Sequence, residues 1–158
     1  MRTTWLFPNK YKRIGWILLI PATVIGIVLI AADFQGFSIN ARVPALFNSE
    51  ILSNTSFFSV IKTDITNTLV GILFIIGAVL VGFSREKSED EFIASLRYSS
   101  LMWAVVLNYA LLIFFFVFVW GSSFLYVMIY NMFTILIIFI VRFNYLLYRN
   151  SQKPADEK

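Results

Sequence analysis

From Tyr98 to Val141 the chain runs for 44 residues without a single Asp, Glu, Lys or Arg. A helix crosses ~30 Å of hydrocarbon with about 20 apolar residues at ~1.5 Å each. The stretch is therefore too long for one span and right for two. Gly121, Ser122 and Ser123 supply the only turn chemistry near its middle, which predicts a tight helical hairpin there. Two further charge-free stretches run from Ile14 to Ala32 and from Ile65 to Ser84, 19 and 20 residues. The fold expected is an all-α membrane protein, a four-transmembrane-helix bundle with spans at 14–32, 65–84, 98–120 and 123–143. A cleaved leader is the rival reading of the first stretch. Leader cores are about 7–15 residues, and this one is longer and contains Pro21.

Composition supports lipid as the main solvent. Charged residues make up 14% of the 158, against roughly 25% in soluble domains. Mean hydropathy is +0.78, and 17 Phe add bulk that a water-facing surface would not tolerate. The net charge of +4 reflects basic residues flanking the spans, so nucleic acid is not expected as a partner.

Those flanking residues also orient the chain. Arg2, Lys10, Lys12 and Arg13 precede the first span. Arg85, Lys87 and Arg97 lie between the second and third, and Arg142, Arg149, Lys153 and Lys158 follow the fourth. Eleven basic residues thus share one side, against Arg42 and Lys62 on the other. The excess of Lys and Arg on cytoplasmic segments predicts both termini inside. Trp5, Tyr11, Trp16, Tyr98, Trp103, Tyr145 and Tyr148 then fall near the cytoplasmic interface and Trp120 near the opposite one, as aromatic belts do. The tails are 1–13 and 144–158, the second polar beyond Asn150 and expected to fray.

The 33–64 segment is the one sizeable extracytoplasmic piece. Residues such as Phe34, Phe37, Val43, Phe47, Phe57, Val60 and Ile61 make it amphipathic. Two readings stand: a short helical or looped cap lying in the interface, or a docking surface for a partner. Asn54-Thr55-Ser56 matches a glycosylation sequon, a short and weak signal. In the cytoplasmic loop 85–97, Ser88-Glu89-Asp90-Glu91 fits a capping box: Ser88 would accept from the Glu91 amide and Glu91 would reach back. With no breaker beyond it, one long helix is expected from the cytoplasm near Glu89 through the third span.

Polar groups within the spans are few and neutral. Asn108-Tyr109 and Tyr130-Asn131 are mirror-related, since 108 + 131 and 109 + 130 both equal 239, and a tight hairpin centred near Trp120 would place each pair at one level. An Asn amide facing lipid would be unsatisfied at a cost of several kcal/mol, on the order of 2–7. Asn108 and Asn131 are therefore expected to face inward and to bond to each other, to Tyr hydroxyls or to backbone, either as structural glue or as part of a ligand site. Ala22 with Gly26 and Ala78 with Gly82 form small-xxx-small pairs. These suit close packing of the first two helices or a homo-oligomer seam.

The residues exclude much chemistry. There is no Cys and no His, hence no thiolate metal site, no Ser–His dyad and no His-ligated haem. No ionisable residue falls inside a span as drawn, which counts against proton coupling. A small multidrug exporter would carry an acid in its first span, and four-span fluoride channels carry Gly-rich and Arg-Tyr signatures; neither pattern is here. No cofactor and no catalytic residue are expected.

Three stretches together carry a family likeness: Asn9-Lys10-Tyr11-Lys12-Arg13-Ile14-Gly15-Trp16, then Glu89-Asp90-Glu91-Phe92-Ile93 running to Trp103, then Tyr130-Asn131-Met132-Phe133 with Arg142-Phe143-Asn144-Tyr145. The pattern resembles uncharacterised small four-span inner-membrane proteins of Bacteroidota. The resemblance implies a bacterial inner membrane and no particular activity. The function expected is a non-enzymatic membrane subunit or regulator that works through membrane or cytoplasmic partner proteins. The alternative is a small oligomeric channel or transporter for a neutral or hydrophobic solute.

Overall fold

The computed structural model describes residues 6–31, 38–48 and 56–151. Helix α1 spans Lys10–Ala31, strands β1 and β2 span Asn40–Asn48 and Ser56–Asp64, and helices α2, α3 and α4 span Thr66–Phe83, Glu91–Phe118 and Ser123–Ser151. All four helices are long and apolar enough to cross a membrane. The chain forms two compact units, one of residues 1–19 with 75–158 and one of residues 20–74.

In the 20–74 unit the segment read as a helical or looped cap contains a β-hairpin, so the all-α class needs correcting. β1 and β2 pair antiparallel in a two-stranded sheet, from Asn40 opposite Asp64 to Asn48 opposite Ser56. The physical reason is a period of two. Ala41, Val43, Ile61 and Thr63 are half-buried, while Arg42, Pro44, Val60 and Lys62 are exposed. Alternate residues of a strand point to opposite faces, and β-branched side chains suit that surface. Pro44 has no N–H to give a neighbouring strand, which an edge strand tolerates. Asn54 and Thr55 of the sequon, and Phe34 and Phe37, lie outside the described residues.

The hairpin hands over to α2 through a compact polar joint. The Asp64 carboxylate accepts from the Thr66 amide at 2.9 Å and from its hydroxyl at 2.6 Å, and that hydroxyl accepts from the Ile39 amide at 2.9 Å. These bonds, the hydroxyl's first, hold the Asp64 carboxyl below its ordinary value. Among the described residues of this unit, Ala22, Leu29 and Phe74 are buried and apolar.

In the other unit, α3 and α4 make the expected hairpin. The Val119 amide closes α3 onto the Phe115 carbonyl at 2.8 Å. Gly121 then turns the chain at φ 75°, a left-handed conformation costly for residues with a Cβ. Phe124 and Leu125 donate back to Gly121 and Ser122, opening α4. At ~1.5 Å per residue, α3 and α4 are each about 42–44 Å long. α4 continues past Phe143, where the tail was expected, because no breaker occurs before Ser151; residues 152–158 lie outside the described residues.

The cap of α3 differs from the capping box expected at Ser88 and Glu91. Asp90 is the N-cap, its carboxylate accepting from the Ile93 amide at 2.9 Å, and Glu91 is the first helical residue. Just before it, the Glu89 carboxylate accepts from the Glu86 amide at 2.8 Å across a bend at Lys87 and Ser88, so Ser88 lies outside the helix start. Asp serves as well as Ser at this position. Buried in the same unit are Val81, Ala104, Phe139 and Phe143, with 0% exposure each. Many large apolar side chains point outward instead, among them Ile17, Val106, Ile113 and Val141.

Candidate functional site

Two polar arrangements stand out in the 1–19 and 75–158 unit. The first is the level of Asn108 and Asn131. Each Asn donates through Nδ2 to the other's Oδ1 at 3.2 Å, forming a cyclic amide pair between α3 and α4. Asn108 is 4% exposed. Mirrored positions about the Val119–Trp120 junction between α3 and α4 bring the two amides level, and each satisfies a group that would otherwise be orphaned. The tyrosines do not join them in a common pocket. Tyr109 is 58% exposed on the outer face of α3, and Tyr130 is half-buried.

The second is a polar clamp near the start of α3. Arg97 is 6% exposed. Its guanidinium donates to both Glu89 oxygens, at 2.6 and 3.2 Å, and to the Ser84 carbonyl at 3.2 Å. It also sits 5.0 Å from the Phe143 ring centroid, a cation–π contact. This one side chain ties together the residue after α2, the loop before α3 and the interior face of α4. A fork-to-fork Arg–carboxylate pair fixes orientation as well as contributing energy. Burial pushes the Glu89 carboxyl upward, but hydrogen bonds from Arg97 and the Glu86 amide, with the charges of Arg97 and Arg85, outweigh it. The carboxyl stays below its ordinary 4.5. Two buried polar atoms here, Ser84 Oγ and Arg97 Nε, have no hydrogen-bond partner.

The chain ahead of α1 is bound into the same region. The Phe7 amide donates to the Phe83 carbonyl at 3.0 Å, and the Arg85 amide to the Phe7 carbonyl at 2.8 Å, a one-residue parallel bridge. Asn9 donates to the Arg85 carbonyl at 2.7 Å, and Lys12 pairs with Glu86. On the opposite flank, Arg142 stacks 4.5 Å from the Trp103 ring centroid. Sequence reasoning saw Arg97 only as a topology signal. It borders a long apolar run and therefore needs a counter-charge, with the nearest acids at 89–91; that requirement could have found the clamp.

Close backbone approach also occurs at two glycines outside the small-residue pairs, Gly15 and Gly77. A Cβ on Gly15 would stand 2.8 Å from the Val81 nitrogen, and one on Gly77 would stand 2.8 Å from the Leu19 nitrogen. There α1 and α2 touch backbone to backbone. Ala78 is buried, but Gly82 faces Phe139 of α4, whose ring fills the space a Cβ would take. In the 20–74 unit Ala22 is buried, while a Cβ on Gly26 would meet Val70 at an ordinary 3.8 Å.

No protein family, no curated protein and no solved structure matches this chain.

Proposed function

We propose that the chain is a multi-pass protein of the bacterial inner membrane with both termini in the cytoplasm. It works without catalysis, as a subunit or regulator that engages a partner protein through its β-hairpin. Outward-facing Ile17, Val106, Ile113 and Val141 support lipid as the surrounding solvent, because so much apolar surface is unfavourable in water. The eleven-to-two basic asymmetry supports the orientation.

The observation that carries the partner reading is the hairpin itself. Among the described residues its sheet has two strands, so each strand keeps one edge unpaired. An isolated hairpin is marginal, and open edges are templates for another strand. Arg42 and Lys62 are direct cross-strand neighbours on the exposed face, and like charges so placed repel. An acidic partner strand laid along this edge would complete the ladder and relieve the repulsion. The channel reading draws no comparable support, since the Asn108 and Asn131 amides are engaged with each other.

The test is a photo-crosslinking residue at Val60, 70% exposed on the hairpin, and at Tyr126 on α4 as a control, in the native host. One stoichiometric protein adduct at Val60, absent at Tyr126 and lost in Arg42→Glu/Lys62→Glu, is expected. Adducts to lipid alone at Val60 refute the partner reading. Because the chain has no Cys, single Cys substitutions report topology cleanly: Ser151→Cys should be shielded from a membrane-impermeant maleimide and Ser38→Cys, exposed ahead of β1, labelled.

A further inference from the structure

The beginning of α1, the 86–88 segment, the first turn of α3 and the end of α4 enclose an open groove of about 490 Å³. Its charge is unbalanced. Lys12, Arg13 and Lys87 line it against one acid, Glu86, and that acid is already paired with Lys12. Arg13 and Lys87 are both exposed. Trp16, half-buried, and Tyr148, exposed, also line the groove. Such rings, apolar in body and polar at one edge, settle at the level of lipid headgroups. Next along the same helices, the outer faces turn apolar, with Ile17 on α1 and Val141 on α4 exposed.

A cationic groove opening onto apolar helix faces fits a molecule with an anionic head and long apolar tails. We infer that this groove binds the headgroup of an anionic phospholipid, its phosphate drawn to Arg13 and Lys87 and its acyl chains lying along α1 and α4. Basic pockets between helices on the cytoplasmic side recognise such headgroups. The inference rests on the membrane reading above and goes beyond it by naming a lipid class and a site. Free phosphate shares the head's charge and lacks the tails, so it cannot use the apolar faces.

The experiment titrates delipidated protein in a neutral detergent with phosphatidylglycerol, phosphatidylcholine or inorganic phosphate, and counts bound lipid by native mass spectrometry. A basic residue near the headgroup is worth about fivefold in binding, so two predict a preference of about 25-fold for phosphatidylglycerol over phosphatidylcholine. Arg13→Gln/Lys87→Gln should abolish that preference with helicity unchanged, and Arg13→Lys/Lys87→Arg should retain it. Equal binding of the two lipids by the wild-type protein overturns the inference. So does a preference that survives the glutamine variant, or release of phosphatidylglycerol by millimolar inorganic phosphate. Carbonate extraction of native membranes is run in parallel. A chain that stays in the membrane yet shows no lipid preference sinks the lipid site alone, whereas a chain released by carbonate sinks the membrane reading.

Discussion

Replacing Asn108 by Leu removes both hydrogen bonds of the amide pair and leaves Asn131 facing a space that no longer answers it. At 3.2 Å the two bonds are at the long end of the normal range. Bonds of this kind between membrane helices average about 0.6 kcal/mol and reach about 1.7. The pair should thus contribute about 1–2 kcal/mol. The amide left without its partner, half-buried Asn131 in this variant and Asn108, 4% exposed, in the reverse one, adds about 1–3 kcal/mol. Each single Leu variant should therefore lose roughly 2–5 kcal/mol. The double variant leaves no orphan and places two leucines of similar bulk at the same level, so it should lie within about 1 kcal/mol of wild type. The assay is reversible unfolding in mixed micelles with rising dodecyl sulfate fraction, read by helicity for all four proteins of the cycle. Losses that add within about 0.5 kcal/mol would show that the residues act independently and would refute the pairing. The same double variant also separates glue from ligand site: if it folds but loses the hairpin adduct or any solute flux, the amides do more than hold α3 to α4.

Breaking the clamp should cost more, since removing one member of a buried ion pair strands the other. Arg97→Ala is expected to lose about 3–5 kcal/mol in the same micelle assay, and more than an alanine at exposed Lys87. Glu89 titrates lower in the folded protein than its ordinary 4.5. The stability it contributes is therefore complete above about pH 4.5 and is lost as pH falls below that value. Thermal melts of wild type should drop in this acid window relative to Glu89→Gln, and a constant difference between the two would contradict the linkage. Gly77→Ala drives a Cβ against the Leu19 backbone, which cannot step aside, and should destabilise by about 1–3 kcal/mol. Gly26→Ala, at 3.8 Å from Val70, should be neutral or stabilising by up to about 1 kcal/mol. Asp90→Ala should cost about 1 kcal/mol and Ser88→Ala a few tenths at most, read as melting temperatures; equal effects would return the cap to Ser88.

What could be read in advance depended on whether the relevant partner was near in sequence or fixed by symmetry. The helices follow from length and absence of charge alone. The Asn108–Asn131 level follows from one further fact, a tight connection centred near Trp120, because an antiparallel hairpin brings positions mirrored about its centre together. The α1–α2 seam has no such constraint. Ala22-Gly26 and Ala78-Gly82 are good small-residue spacings, but close approach depends on what stands opposite, and Gly82 stands opposite Phe139. The clamp was hidden for the same reason: Arg97 and Glu89 are eight apart, yet Ser84 and Phe143 join them only once α2 and α4 are in place.

The hairpin is hard to see in the sequence because its two strands pass for one amphipathic segment. Val43, Ile61 and Thr63 alternate with Arg42, Val60 and Lys62, but Val60 breaks the polar face and Pro44, a poor strand former, sits in mid-β1. Those two departures themselves carry meaning. A large apolar side chain 70% exposed on the same face as two repelling cations is a poor water-facing surface. Lipid headgroups could bury Val60, but they would not pair the open strand edges. A partner strand would do both, and acidic residues on it would also neutralise Arg42 and Lys62. If docking supplies that charge, raising salt from 50 to 500 mM should weaken the Val60 adduct, since exposed ion pairs are screened. An adduct indifferent to salt would place the affinity in the backbone ladder and leave the two cations with a purely topological role.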